Sequence, residues 1–258
     1  MKPVSMEQLR RPTIVIAPHQ DDEVLGCGGT ISQLRRWGIP VTILFLCDGA
    51  NSHSKKMAPD KMAALRKEEA LAAAKVMGIA AQDIFFIPVC NQGASANHEE
   101  IDKRLMPVLQ NRPADNYFIP YRYEQQADHS ATTTISLNAI KRLHNRALIL
   151  EYPIWFWEHK PWMNCTIFSP KGMRQQLIHT ARSLLRLFMH FNHYVDVTET
   201  LDQKTRALGE YKSQMTRLQD DPTWPILHDV SDGDFLNCFN REREIFSTTF
   251  SIGRDNKQ

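Results

Sequence analysis

The chain has 258 residues and is nearly balanced in charge, with 31 Lys and Arg against 29 Asp and Glu. Because the net charge is close to zero, the composition does not indicate a protein that binds nucleic acid or another polyanion. The five cysteines are scattered and form no C-x-x-C pair, which is typical of a reducing compartment and argues against a structural zinc knuckle. Because the sequence shows no signal-peptide stretch and no run of about 18 apolar residues, we predict a cytoplasmic protein without a membrane span.

The first 150 residues alternate short apolar runs with helix-like segments. The predicted strands are TIVIA (13–17), VTILFLC (41–47), DIFFIPV (83–89), NYFIP (116–120) and ALILEY (147–152). The predicted helices cover residues 29–37, 61–78, 99–111 and 130–145. Strands that alternate with helices of this length predict βαβ units. We therefore predict a Rossmann-like α/β fold, with a mainly parallel sheet and helices on both faces.

The pattern changes after Tyr152. The stretch YPIWFWEHKPW (152–162) is rich in Trp and Pro, and a helix-like run (173–191), a short VDV (195–197) and a further helix through 210–215 follow it. No linker rich in Gly or Ser separates this part from the rest. We predict one domain, residues 1–258, in which a core of residues 12–152 carries a C-terminal helical or mixed layer of residues 153–258.

Metal-binding residue types lie at the end of the first predicted strand. The strand TIVIA is followed by PHQDDE, which contains His19, Asp21 and Asp22. In open parallel sheets, ligands bind outside the carboxyl ends of the strands, where the strand order reverses. With the strand order 3-2-1-4-5, the loop after the fourth strand would face this turn, and that loop supplies Asp128 and His129.

Two histidines and one carboxylate are the ligand set of a catalytic zinc site that keeps one position open for water. His19 and Asp22 are three residues apart on a turn, and His129 would complete the set from the opposite loop. Asp21 then remains free to accept a proton from metal-bound water, whose pKa such a site lowers to about 7. This arrangement suits hydrolysis of an amide or ester. A distance above about 6 Å between His129 and the other two ligands would exclude a shared ion.

Several motifs together resemble one known family. PHQDDE, GCGGT (26–30) and ADH (127–129) are joined by CDGA (47–50), by Arg66 and Glu69 before MG (77–78), and by VDVTETLDQKTRALGEYKSQ (195–214). This set is similar to the PIG-L (LmbE-like) family of metal-dependent N-deacetylases, which remove acetyl groups from N-acetylglucosamine-type sugars. The resemblance covers most of the chain. It implies Zn²⁺ or another divalent cation as the cofactor, an N-acetyl sugar or glycoconjugate as the substrate, and a possible homo-oligomer.

The resemblance also implies roles for individual residues. Asp21 would act as the general base and then pass its proton to the departing amine. Arg66 would help to hold the sugar, Asp48 would accept hydrogen bonds from its hydroxyls, and Asp128 would support the metal ligands without binding the metal.

The chain departs from the family's motifs at two positions. Gln20 replaces a proline of the first motif, which loosens the turn but removes no ligand. Gln126 stands where the family has a histidine that is thought to stabilise the oxyanion. The neutral Gln amide can donate one hydrogen bond but carries no positive charge. Because losing one such donor costs about 10²–10³ in turnover, and Gln retains part of it, we expect a slower enzyme or one with a different substrate.

Other interpretations of these motifs remain open. An acid-rich turn can simply cap a helix. GCGG could indicate a dinucleotide loop, but the third glycine of G-x-G-x-x-G falls at Ile31; we expect its glycines instead to let the helix start approach the metal loop. A metal-dependent phosphoesterase would need more carboxylates, enough for two ions. A degenerate family member that binds sugar without turnover is suggested by Gln126.

Three further groups of residues are ambiguous. Trp155, Trp157 and Trp162 could form an aromatic floor for a sugar or a lipid chain, or could cap the sheet or make a subunit contact. Lys55, Lys56 and Lys61 are expected in a solvated flexible loop that could gate the site. The remaining histidines are expected to be surface or core residues and not ligands: His53, His98, His144, His159, His179, His190, His193 and His228.

Overall fold

The fold is taken from a computed structural model, which describes residues 1–87, 94–143, 146–158, 162 and 170–250. The predictions made for His144 and His159 lie outside these residues. No helix of the described part is long and apolar enough to cross a membrane.

One eight-stranded sheet runs through the molecule, in the order β1-β7-β8-β6-β5-β2-β3-β4. The strands are β1 (Lys2–Pro3), β2 (Thr13–Ala17), β3 (Val41–Phe45), β4 (Ile84–Phe86), β5 (Asn116–Pro120), β6 (Leu148–Tyr152), β7 (Phe191–Asp196) and β8 (Arg243–Phe250). From β4 to β6 all pairs are parallel, whereas β8 runs antiparallel to both of its neighbours. The predicted α/β fold is confirmed, including the strand order around β2.

Both faces of the sheet are covered, as expected for buried parallel strands. Every residue of β2, β3, β5 and β6 is buried. Side chains alternate between the two faces of a strand. Val15 and Ala17 accordingly lie in one hydrophobic cluster, and Ile14 and Ile16 lie in the other.

The helices follow the predicted order but differ at their ends. They are α1 (Met6–Leu9), α2 (Asp22–Arg36), α3 (Pro59–Val76), α4 (His98–Asn111), α5 (Ala127–Leu143), α6 (Pro170–His190), α7 (Leu201–Gly209), α8 (Lys212–Met215) and α9 (Asp234–Asn237). The largest difference is in α2, which begins at Asp22 and includes the GCGG run that sequence reasoning left outside the helix. Glycine disfavours a helix interior, so tertiary contacts must stabilise this segment.

Those contacts come from the C-terminal half of the chain. The backbone of α2 leaves helical geometry at Cys27, and the Glu244 carboxylate accepts the backbone N–H groups of Gly29 and Thr30, each at 2.8 Å. A Cβ on Gly26 would lie 2.3 Å from the Tyr152 ring, and one on Gly29 would lie 2.7 Å from the side chain of Val197. The glycines are therefore needed for close packing against β6 and the C-terminal segment, and not against the metal loop as predicted.

The C-terminal part contributes strands as well as helices. The predicted short strand VDV is the end of the longer β7, and β8 pairs with both β7 and β6. In this arrangement Lys204 of α7 forms a buried ion pair with Glu244 of β8, at 2.7 Å. Residues 191–250 thus extend the sheet of the N-terminal half.

Candidate metal centre and active-site cleft

Two neighbouring strands place the predicted metal ligands at one edge of the sheet. His19 lies two residues after the end of β2, Asp22 is the first residue of α2, and His129 lies in the first turn of α5, after β5. Since β2 and β5 are paired and parallel, their carboxyl ends meet, and the two loops lie beside each other.

The three side chains converge as a ligand set should. His19 Nδ1 and His129 Nε2 lie 3.5 and 3.3 Å from the same oxygen of Asp22, and one ligand atom from each residue lies within 4.8 Å of the others. Metal bonds of about 2.0–2.1 Å in a tetrahedron place neighbouring ligand atoms about 3.3 Å apart. The arrangement therefore fits a single divalent cation.

The surroundings of His129 support the same interpretation. Its side chain is 0% exposed, and neither ring nitrogen has a hydrogen-bond partner among the described residues. Burial lowers the pKa of His129 to about 4, so the ring is neutral at pH 7, which is the form that binds a metal. Buried polar atoms are rarely left without a partner. A divalent cation would satisfy Nε2.

The other two candidate ligands, His19 and Asp22, interact with each other and His19 also interacts with Asp128. Burial raises the pKa of Asp22, but the neighbouring His129 and His19 lower it more, so that the group is a carboxylate. Asp22 also accepts the backbone N–H of His19 at 3.0 Å. Burial lowers the pKa of His19, whereas the carboxylates of Asp128 and Asp22 raise it to well above its usual value. Asp128 Oδ2 lies 3.4 Å from His19 Nε2.

Asp21 lies beside the ligand set but outside it. Its backbone has a φ of 119°, a strained value for a residue other than glycine, and this directs the chain into α2. Its carboxylate lies 3.4 Å from the Arg66 guanidinium. Burial raises the pKa of Asp21 to about 7, although the charge of Arg66 opposes this shift.

Arg66 of α3 is buried and donates to the backbone oxygen of Gln20. Its Nε and Nη1 have no hydrogen-bond partner within the described part of the chain. A Cβ at Gly49 would lie 2.9 Å from Gln20 Oε1 and 3.2 Å from Arg66 Nε, so only glycine fits there. Gln20 in turn donates to the backbone oxygen of Cys47 at 2.9 Å. The residue that replaces the motif's proline therefore ties the metal loop to the end of β3.

Two supporting residues were not given a role by the sequence. Glu23 is fully buried, accepts the backbone N–H of Asp21 at 3.1 Å and accepts the hydroxyl of Tyr211. Burial raises the pKa of Glu23 to about 8. Glu23 and Tyr211 together thus hold the strained turn at Asp21 in place. The similarity of the EYKSQ segment to the family's pattern was the signal that marked Tyr211.

A second contact anchors the same segment. Glu69 of α3 accepts the backbone N–H and the hydroxyl of Ser213, at 2.6 and 2.7 Å. The Arg66 and Glu69 motif therefore joins two ends of the site: Arg66 contacts the metal loop, and Glu69 holds the C-terminal segment next to it.

A cleft of about 640 Å³ opens above the metal ligands. It brings together the predicted site residues except His129, which lies buried beneath it: His19, Asp21, Asp22, Asp48, Arg66, Gln126 and Asp128. Asp48 Oδ1 accepts the N–H of Ala50 at 2.9 Å, which orients this carboxylate. The C-terminal half adds a wall of Trp155, Gln214, Leu227 and Phe235, which sequence reasoning did not assign as a set.

The three tryptophans have different roles. Trp155 lines the cleft and stacks on Phe235, with ring centroids 4.9 Å apart. Trp157 and Trp162 pack against each other and against Phe156, with centroid distances of 5.2–5.4 Å. Trp155 is therefore the tryptophan that lines this cleft, whereas Trp157 and Trp162 lie outside it and line a separate cavity of about 470 Å³.

The loop after β3 is less free than predicted. Lys56 forms an ion pair with Asp221 at 2.6 Å, so the prediction of a solvated side chain is wrong there, whereas Lys55 and Lys61 are exposed. His53 is buried and stacks on Trp224, with centroids 4.6 Å apart. This agrees with its expected role as a core histidine.

Known proteins resemble this chain in sequence and in fold. The sequence profile of the PIG-L family, described as GlcNAc-PI de-N-acetylase, matches residues 14–140, which contain all three candidate ligands. The diacetylchitobiose deacetylase of Thermococcus kodakarensis is 23% identical over 216 residues, covering 79% of this chain and 70% of that protein.

Solved structures share the fold over nearly the whole chain. The N,N'-diacetylchitobiose deacetylase of Pyrococcus horikoshii aligns with a TM-score of 0.64 and 19% identity, covering 95% of this chain and 86% of its own. A zinc-inhibited form of the teicoplanin deacetylase Orf2 aligns with a TM-score of 0.61 and 15% identity, covering 95% and 100%. The chain thus resembles the PIG-L family in a profile match over residues 14–140 and in the motifs at its strand ends, and the solved structures share its fold.

Proposed function

We propose that the protein is a zinc-dependent hydrolase that removes the acetyl group from an N-acetylated amino sugar or its conjugate. The observation that carries the proposal is the convergence of His19, Asp22 and His129 on one position, with the unligated carboxylate of Asp21 beside it. The deacetylases among its relatives support the choice of an amide as the bond that is cleaved.

Zinc held by the three side chains would act as a Lewis acid that activates water at neutral pH. In the reaction, water adds to the acetyl carbonyl, the C–N bond breaks, and acetate and a free amine are formed. Asp21 accepts the proton of the attacking water and delivers it to the departing nitrogen. Arg66, 3.4 Å from this carboxylate, holds Asp21 in place.

Two further side chains complete the proposed mechanism. Gln126 lines the cleft, and its amide N–H donates a hydrogen bond to the oxygen that becomes negative as water adds to the carbonyl. Asp128 lies 3.4 Å from His19 Nε2 and accepts a hydrogen bond from the N–H group of that nitrogen. A carboxylate in this position fixes the orientation and tautomer of a metal-binding histidine.

The shape and lining of the cleft suit a sugar. Its volume of about 640 Å³ lies within the range of about 300–1,000 Å³ that is usual for small-molecule sites. Asp48 and Arg66 offer an acceptor and donors for hydroxyl groups, and Trp155 offers an apolar face for the sugar ring. The substrate is therefore an N-acetylglucosamine-type sugar or a conjugate of one.

The proposal is tested by three measurements on the same preparation: bound zinc, amine release from a panel of N-acetyl sugars, and phosphate release from phosphoesters. Asp21→Asn should keep its zinc and lose about 10²–10⁴ in amine release, the usual contribution of a general base. Asp202→Asn is the matched control, because its side chain is 86% exposed. Phosphate release would favour the phosphoesterase, and bound zinc with neither product would favour a non-catalytic sugar-binding protein.

A further inference from the structure

A second group of metal-binding side chains shares His19 with the first. His19, Cys47 and Asp128 each offer one ligand atom, and these atoms lie within 4.8 Å of one another. Cys47 follows β3, is 6% exposed and lines the cleft. We call these three residues the thiol triad.

The two nitrogens of His19 face different partners. Nδ1 lies 3.5 Å from Asp22, whereas Nε2 lies 3.4 Å from Asp128. The second distance again matches the spacing of about 3.3 Å between neighbouring ligands of a tetrahedral ion. Asp128 is also oriented from its other oxygen, which accepts the backbone N–H of Ser95 at 3.2 Å. His19 Nε2 and the Asp128 carboxylate are therefore already spaced as two ligands of a second metal ion.

The chemistry of the thiol triad differs from that of the first site. A thiolate is a soft ligand that favours ions such as Cd²⁺ and Zn²⁺ over Mg²⁺ or Ca²⁺. The first site has only imidazole and carboxylate donors. Cys47 is close enough to His19 to interact with its ring electrostatically, so the sulfur belongs to the same cluster and not to a separate wall of the cleft.

We propose that the thiol triad binds a thiophilic divalent cation, such as Cd²⁺ or excess Zn²⁺, and that its occupancy inhibits the enzyme. Binding releases the thiol proton of Cys47 and the Nε2 proton of His19 to solvent, and the ion forms bonds to both atoms and to Asp128. Asp128 can then no longer accept a hydrogen bond from His19, and the ion occupies space where the substrate must lie. The binding part stands independently of the proposed function, whereas the inhibition rests on it.

Binding is tested with Cd²⁺ alone, through the ultraviolet charge-transfer absorption of a cadmium thiolate. The wild-type protein should show a component of this absorption that disappears in Cys47→Ser and remains in Cys238→Ser, which removes a buried cysteine outside the cleft. Asp128→Asn keeps Cys47 and should weaken Cd²⁺ binding by at least about 10-fold. Loss of a residue that only supports a metal ligand already costs this much, and Asp128 is proposed to bind the ion directly. Absorption that is the same in Cys47→Ser and the wild type overturns the proposal.

Inhibition is tested by adding excess Zn²⁺ to enzyme that already holds one equivalent, with each variant compared with its own uninhibited rate. Cys47→Ser should require at least about 10-fold more Zn²⁺ for half inhibition, and Cys238→Ser should behave as the wild type. Equal inhibition of all three proteins would refute the inhibitory role. An inactive protein that still shows the Cys47-dependent absorption would refute only the proposed deacetylase activity.

Discussion

The candidate metal ligands, at what we call the metal edge of the cleft, and the wall of the cleft come from different parts of the chain. At the metal edge, His19, Asp22 and His129 follow two adjacent parallel strands within the first 129 residues. The wall consists of Trp155, Gln214, Leu227 and Phe235, which lie on loops and short helices between residues 155 and 235. Strand geometry fixes the first set, and packing of the C-terminal half onto the sheet fixes the second.

The candidate metal ligands and the residues that shape the cleft are therefore positioned independently of each other. Parallel strands place the residues after them at one edge regardless of the rest of the molecule. Changes at the wall, in contrast, alter the shape of the cleft without moving the ligands. We therefore expect substitutions at the metal edge to abolish the chemistry and substitutions at the wall to alter substrate affinity.

The largest effect is expected for a ligand of the metal edge. His129→Ala removes one of three proposed ligands, and zinc affinity should fall by more than about 100-fold, beyond the loss caused by an outer partner. Zinc content after dialysis, determined by elemental analysis, measures this loss. His228→Ala, at an exposed histidine, should retain wild-type zinc, and full zinc retention in His129→Ala would contradict the proposed ligand set.

Gln126 should have the next largest effect, on turnover and not on the metal. Gln126→Ala removes the proposed donor to the oxyanion and should lower kcat by about 10²-fold, at the lower end of the usual loss. Gln126→His supplies the residue of the family's motif and should raise kcat above the wild-type value. Both are read from steady-state kinetics at full zinc occupancy. Gln125→Ala, at the exposed neighbour, is the control, and equal rates in all four proteins would exclude the role.

A substitution at the wall should alter substrate binding. Trp155→Ala removes the aromatic face that lines the cleft and should raise KM about 10-fold with little change in kcat, since an aromatic contact and its burial contribute about 1–2 kcal/mol. Trp37→Ala removes a tryptophan that directly follows α2 and lies outside the cleft, and it should leave KM unchanged. A fall in kcat alone would place Trp155 with the catalytic residues instead.

The smallest effect on activity is expected at the link between the two regions, where a substitution should change stability instead. Glu124, in the loop after β5, accepts the backbone N–H groups of Ile154 and Phe156, on either side of Trp155, at 2.8 and 3.3 Å. Burial raises the pKa of Glu124 to about 8 from a usual value of 4.5. A raised carboxyl pKa means that its stability contribution is complete below pH 4.5 and is lost as the pH rises through 8.

Glu124→Gln stays neutral and keeps an oxygen that can accept these N–H groups. Its free energy of unfolding, relative to that of the wild type, should therefore increase by about 4 kcal/mol between pH 5 and pH 9, since a pKa difference of one corresponds to about 1.4 kcal/mol. Chemical denaturation of the metal-free proteins at several pH values measures this difference. A difference that does not vary with pH would show that Glu124 ionises normally in the folded protein.

Much of the fold and of the metal edge was predictable from the sequence. The strands TIVIA and NYFIP were predicted with their observed bounds, because continuous apolar runs of this length bounded by polar loops are typical of buried parallel strands. The strand order then placed His129 opposite His19 and Asp22. The start of α2 was not predictable, since GCGG disfavours a helix unless Glu244, more than 200 residues away, accepts its backbone N–H groups.

By itself, the sequence determined which residues follow adjacent strands, and hence the candidate ligands, because this depends only on local patterns and on the regular geometry of a parallel sheet. Only the tertiary structure decided which tryptophan lines the cleft, which partners hold Asp21, and that Cys47 lies beside His19 and Asp128. These contacts join residues far apart in the chain. They depend on how side chains pack across the sheet and between its loops, which no local pattern specifies.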